Sequence, residues 1–180
     1  MVHRINDVTI ELTQGDITSQ GDVEAVVNAA NAQLRMGGGV AGAIHRKAGA
    51  GLEKETRPLA PISPGEAVIT GGHNLPNSWV IHCLGPVYGA DKPEDKLLAD
   101  CYRNALQRAE EKKVKSVAFP AISTGAFGYP MEDAARVAFR TVKQQALHLS
   151  HVTLIRLVMY GKRAMDVHSK VFQEMFSGKE

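Results

Sequence analysis

Residues 8–13 alternate apolar and polar positions and are rich in β-branched side chains, a period of two that predicts a strand with one buried face. The largely apolar runs 25–30, 79–83, 116–120 and 153–160 predict strands buried on both faces, with 67–70 as a shorter one. Helical spacing marks 40–47, 96–111, 131–147 and 165–176; in the second of these Leu97, Leu98, Cys101, Ala105 and Leu106 form the apolar stripe. Strands alternating with helices imply an α/β fold with a mostly parallel sheet covered on both faces. Ligands of such sheets sit beyond the carboxyl ends of the strands, so the loops after Ala30, Cys83, Pro120 and Tyr160 are the places to look for chemistry. The Pro-rich stretch 58–65 is too short to link domains and reads as a surface loop.

Composition narrows the field. A chain of 180 residues, 44% hydrophobic and 22% charged, is expected to form a single domain over 1–180 that packing alone can stabilise. The balance of 21 Lys+Arg against 19 Asp+Glu gives +2, which excludes the electrostatic footprint of a dedicated nucleic-acid binder and requires any anionic ligand to be held locally. Cys83 and Cys101 fit neither a disulfide framework nor a metal site, so no metal is expected. Free thiols, the lack of an apolar leader in 1–7 and the lack of a long apolar run together predict a cytoplasmic protein with no membrane partner.

Two loops carry unusual residues. The strand at 25–30 ends in Asn28-Ala29-Ala30-Asn31, and Gly37-Gly38-Gly39-Val40 then leads into a helix. Successive glycines at a helix N-terminus let backbone N–H groups approach an anion closely; the plain alternative is a flexible turn. Gly37, Gly39 and Gly42 also match the spacing of a dinucleotide fingerprint, but about six residues separate them from the strand, which fails that motif's context and leaves a nicotinamide-dependent dehydrogenase without support. A P-loop is absent too. The second loop, Ser123-Thr124-Gly125-Ala126-Phe127-Gly128-Tyr129, again joins strand to helix and is a second phosphate cradle. Together the two loops suggest a diphosphate gripped between them.

Other polar residues have competing uses. Asn28 and Asn31 interrupt an apolar strand end, so at least one must bond either the loop backbone or a ligand's hydroxyls. Asp16, after the first strand, can accept from an exocyclic amine or cap a turn. Phe127 and Tyr129 are either core anchors or stacking surfaces, and Tyr160 is by default a core aromatic. His45, one helical turn past Ala41, faces either a cleft as a base or the packed interior; His82 has the same bland reading. Cys83 and Cys101 lack any cue for an activated thiol.

These blocks resemble the macrodomain family of ADP-ribose-binding modules: Gln14-Gly15-Asp16-Ile17-Thr18, Val27-Asn28-Ala29-Ala30-Asn31, Gly37-Gly38-Gly39-Val40 and Ala118-Phe119-Pro120-Ala121-Ile122-Ser123-Thr124-Gly125 stand in the family's order and spacing. The resemblance implies a three-layer α/β/α fold around a mixed six- or seven-stranded, mostly parallel sheet. It also implies that Asp16 accepts from the adenine 6-amino group beside the Ile17 backbone, and that Gly38, Gly39 and Val40 line one side of the diphosphate. Ser123, Thr124, Gly125, Ala126 and Phe127 would close the other side, with Phe127 near the distal ribose. Asn31 would bond that ribose, Asn28 would support the loop and Tyr160 would flank the adenine.

One position departs from the pattern. Members that release mono-ADP-ribose through a carboxylate carry it directly after Gly-Gly-Gly-Val, where this chain has Ala41, which can neither take a proton nor orient water. The expectation is an ADP-ribose-binding protein that hydrolyses ester-linked derivatives, O-acetyl-ADP-ribose or ADP-ribosylated acidic side chains. It would use no cofactor; a phosphate oxygen of the substrate would activate water held by Asn31 and the Gly39 backbone, with His45 as a further candidate base. The alternatives are a non-catalytic reader of ADP-ribosylated protein, and an esterase engineered onto this scaffold that pairs a Ser or Cys with His3, His148, His151 or His168.

Overall fold

The computed structural model describes residues 1–177. In chain order its elements are β1 (Val2–Ile5), β2 (Val8–Gln14), β3 (Ala25–Ala29), α1 (Gly39–Ala48), α2 (Ala50–Thr56), β4 (Ala67–Gly71), β5 (Trp79–Cys83), α3 (Glu94–Glu111), β6 (Ser116–Phe119), α4 (Met131–Ala146), β7 (Leu154–Met159) and α5 (Lys162–Phe176). The seven strands form one mixed sheet in the order β1-β2-β7-β6-β3-β5-β4. The five central strands run parallel and the two edges antiparallel.

Alternation along the central strands sorts side chains into two layers. Val27, Ile81, Val117, Phe119, Ile155 and Leu157 point to the face covered by α3, α4 and α5. Val26, Val80, Ala118 and Val158 point to the opposite face, covered by Ile44 and Ala48 of α1 and Leu52 of α2. Burial on both faces explains the near-continuous apolar runs, and three layers follow from it. Because the central strands are parallel, their carboxyl ends and the loops that leave them gather along one edge of the sheet.

Two elements escape the hydrophobic pattern. β1 is an exposed edge strand whose side chains are alternately exposed and half-buried, and His3 and Arg4 dilute its apolar signal. α2 is a seven-residue helix with only Leu52 and Thr56 buried, set apart from α1 by Gly49 at φ 86°. A 3-10 turn, Arg57–Leu59, runs into the Pro-rich stretch, which then buries Ile62 against Ala30, Leu34 and Leu84.

Candidate active site: a cleft across the strand ends

A cleft of about 790 Å³ opens at the carboxyl ends of the parallel strands. Each of the five supplies part of it: Asp16 and Ile17 follow β2, Asn31 and Gly37–Ala41 follow β3, Gly85 follows β5, Pro120–Phe127 follow β6 and Tyr160 follows β7. Among the described residues lining it none is Lys, Arg or His, and Asp16 is the one carboxylate. An anion here is left to backbone N–H groups and helix ends.

The glycine loop after β3 is built for close approach. Gly38 caps α1 with no side-chain hydrogen bond, and the first turn of the helix holds no acidic residue, so its N–H groups and positive dipole end stay uncompensated. By contrast α3 and α4 carry Glu94, Asp95, Glu132 and Asp133 in their first turns. Gly39 sits at φ 55°, where side chains are strained. A Cβ at Gly42 would overlap the Gly37 carbonyl oxygen, so a side chain there would push the loop off α1.

The loop after β6 faces it. Ser123 adopts φ 68°, its carbonyl accepts from Tyr129 N at 2.9 Å, and Gly128 N donates to Gly125 O at 3.0 Å, which folds the loop back on itself. The Ser123 hydroxyl is buried and has no partner among the described groups. It presses on Gly85, where a Cβ would overlap it. Gly85 lies in the loop after Cys83, but a lone glycine beside Pro86 carries no sign in the sequence of what packs on it.

Asp16 both lines the cleft and caps the 3-10 turn Ile17–Ser19. Its Oδ1 accepts from Thr18 N at 2.8 Å and Thr18 Oγ1 at 2.7 Å, and these bonds hold the carboxyl below the ordinary aspartate pKa. No other described group bonds Oδ2. Asn31 lines the cleft, but its carboxamide also spans its own loop, accepting from Arg35 N at 3.0 Å and donating to Arg35 O at 2.8 Å. One Nδ2 hydrogen and one Oδ1 lone pair remain for a ligand.

Several expected residues sit elsewhere. Asn28 does not line the cleft; it is fully buried on β3 and donates to His82 Nδ1 at 3.0 Å, while His82 Nε2 meets Thr70 Oγ1 at 2.9 Å. It ties β3 to β5 and β4, not the loop to itself. His45 does not reach the cleft either: it is 2% exposed beneath α1, its Nε2 is unpartnered, and burial lowers its pKa. Tyr160 reverses the default, being 86% exposed at the cleft mouth because β7 ends one residue earlier. Tyr129 is the core anchor, buried with its ring 4.9 Å from that of Tyr88 in a tilted contact, whereas Phe127 is half-buried in the cleft wall. Gly38, Gly39, Val40, Thr124, Gly125 and Ala126 all line the cleft.

No hydrogen bond joins a Ser or Cys to a His among the described residues. His3 stacks on Phe176, His168 bonds Ala164 O at 2.8 Å, and the thiols of Cys83 and Cys101, both buried, donate to backbone carbonyls. Burial pushes the Cys101 thiol up to about 12 and raises Cys83 as well, which disfavours the thiolate. Among the described residues no group of His, Cys, Asp and Glu is placed to hold a metal ion, and no helix is long and apolar enough to cross a membrane.

Fold and cleft define a three-layer α/β/α protein with a glycine-lined crevice at a parallel sheet edge. The Macro domain family matches residues 27–138, and the chain belongs to that family. It is 43% identical over 171 residues to a macro domain-containing protein of Caldanaerobacter subterraneus, covering 92% of this chain and 97% of that one. With a Streptomyces coelicolor relative it shares 47% over 163 residues, 87% and 94% of the two chains. Solved structures agree: the Oceanobacillus iheyensis macrodomain with ADP superposes with a TM-score of 0.93 at 39% identity over 99% of this chain and 97% of that one. The Trypanosoma brucei macrodomain in complex with ADP-ribose gives 0.82 at 34%, over 89% and 68%.

Proposed function

We propose that this chain, acting as one macrodomain over residues 1–180, binds ADP-ribose in the cleft, free or attached to protein. The observation that carries the reading is the pair of loops facing each other across a crevice without cationic side chains, one of them opening α1 with neither a capping side chain nor an acidic first turn. Such a site favours a diphosphate through backbone N–H groups. Gly38, Gly39 and Val40 take one side of it and Ser123 to Phe127 the other. Asp16 accepts from the adenine 6-amino group with Ile17 beside it, Tyr160 flanks the base, and Asn31 and Phe127 meet the distal ribose. Relatives solved with ADP and ADP-ribose support the choice of ligand.

The reaction is hydrolysis of an ester on the distal ribose, of O-acetyl-ADP-ribose or of ADP-ribosylated acidic side chains. Water adds to the acyl carbonyl, and collapse of the tetrahedral intermediate releases the ribose hydroxyl and a carboxylic acid. With Ala41 at the start of α1 and His45 buried, the hydrogen bond that orients the water comes from a phosphate oxygen of the substrate, while Asn31 and the Gly39 backbone hold its place. A second reading, a reader without turnover, is favoured by the same absence of a carboxylate other than Asp16 among the cleft-lining residues.

Titration calorimetry with ADP-ribose tests the binding. Wild type gives saturable heat and Asp16→Ala loses about 1–3 kcal/mol, the scale of an unmet polar partner; a silent wild type rejects the reading. A time course of acetate release from O-acetyl-ADP-ribose then separates the two: release above the buffer rate supports hydrolysis, and none leaves the reader.

A further inference from the structure

The segment that carries Asp16 is held from outside the cleft. Arg156 on β7 lies opposite Glu11 on β2, and its side chain is 13% exposed. Its Nε donates to Glu11 Oε2 at 2.8 Å. One terminal nitrogen donates to Gln20 Oε1 at 3.0 Å and Asp22 Oδ1 at 2.8 Å, and the other to Asp22 Oδ2 at 2.7 Å. Gln20 passes the contact on: its Nε2 donates to the Asp16 backbone carbonyl at 2.9 Å.

Chemistry gives this relay a direction. A guanidinium carries donors only and a carbonyl only accepts, so the Gln20 amide turns its oxygen to Arg156 and its NH₂ to the Asp16 carbonyl; without the cation the side chain keeps that orientation but is held at the Asp16 end alone. Glu11 and Asp22 in turn leave the guanidinium one orientation, because planar bidentate pairing suits arginine and not lysine. A part-buried ion pair yields little net stability once desolvation is counted, so a set of this kind is better suited to fixing geometry than to adding stability.

We infer that Arg156, acting through Gln20, is a positioning residue for base selection, holding the Asp16 turn where its carboxylate meets an exocyclic amine. This rests on the proposed role of Asp16 in the cleft. It adds a determinant on the far side of the turn that never touches the ligand.

The test is a selectivity ratio. Wild type, Arg156→Lys and Gln20→Leu are each titrated with ADP-ribose and with inosine diphosphate ribose, whose base carries an oxo group in place of the amine. Wild type prefers ADP-ribose, and both variants lose about three- to tenfold of that preference, the worth of one well-placed hydrogen bond. A loss that is equal for the two ligands leaves the ratio unchanged, marks the network as a fold brace and overturns the inference alone. Gln20→Leu keeps the Arg156 ion pairs and decides the matter if Arg156→Lys does not fold. A wild type that binds neither ligand, or both equally, overturns the reading of Asp16 first and this inference with it.

Discussion

Asn31 and Arg35 are joined twice, the carboxamide of the first bonding both the N–H and the carbonyl of the second, so a polar side chain expected to serve a ligand also closes the loop that leads to the glycines. Any ligand contact by Asn31 therefore depends on a ring of protein hydrogen bonds that already fixes its plane. Asn31→Ala should weaken ADP-ribose binding by about 1–3 kcal/mol and speed amide exchange at Arg35, while Asn31→Asp, which keeps the acceptor and loses the donor, should fall between the two. Unchanged Arg35 exchange in Asn31→Ala would show that the ring does not hold the loop.

Gly38 and Gly42 separate binding from folding. A Cβ at Gly38 meets nothing within 4 Å and its φ is −82°, so Gly38→Ala should melt like wild type yet bind ADP-ribose several-fold more weakly if the diphosphate lies against it. Gly42→Ala forces the loop off α1 and should lower stability by about 1–3 kcal/mol, the usual cost of overpacking. Paired melting curves and titrations check both, and full affinity in Gly38→Ala would remove the diphosphate from that side.

Buried histidines should make stability fall with acid. Burial pushes His82 down to about 3 and lowers His45 and His168 from the ordinary 6.5. Below 6.5 the unfolded chain takes up protons that the folded one refuses, so the contribution of His82 is complete above that pH and declines as pH drops toward 3, by about 1.4 kcal/mol per pH unit, with His45 and His168 acting in the same direction. Urea unfolding between pH 6.5 and 4.5 stays clear of most carboxylate titration and should show the decline. His82→Gln, which keeps a donor and an acceptor for Thr70 and Asn28, should flatten it; an equal slope in that variant would clear His82 of the effect.

Ala41 is the position where chemistry can be added. It is buried at the cleft wall in the first turn of α1, a site where a carboxylate is favoured by the helix dipole. Ala41→Asp should raise ester hydrolysis by about 10²-fold or more if wild type is a reader lacking a base, and change it little if substrate assistance already operates. Acetate release by both proteins under saturating substrate reads the difference.

Much of this was legible in the chain. The apolar runs at β3, β5, β6 and β7 announced strands buried on both faces, and the glycines before α1 and α4 announced loops made for close approach, because period and glycine content are local properties that tertiary contacts rarely reverse. β1 and α2 were not legible: a short edge strand and a seven-residue helix bury too little to leave a pattern.

What the amino-acid order settled by itself was the alternation of strand and helix, the loops that meet at one sheet edge, and the departure at Ala41. Which polar side chain faces which partner was left to the tertiary structure. Asn28 went to His82, whose other ring nitrogen meets Thr70, Asn31 to its own loop, His45 under α1, and Tyr160 out to the cleft mouth. The physical reason is that burial follows from periodicity, which is written along one element, whereas a hydrogen bond needs a donor and an acceptor brought together from elements far apart in the chain, and only packing decides which of them meet.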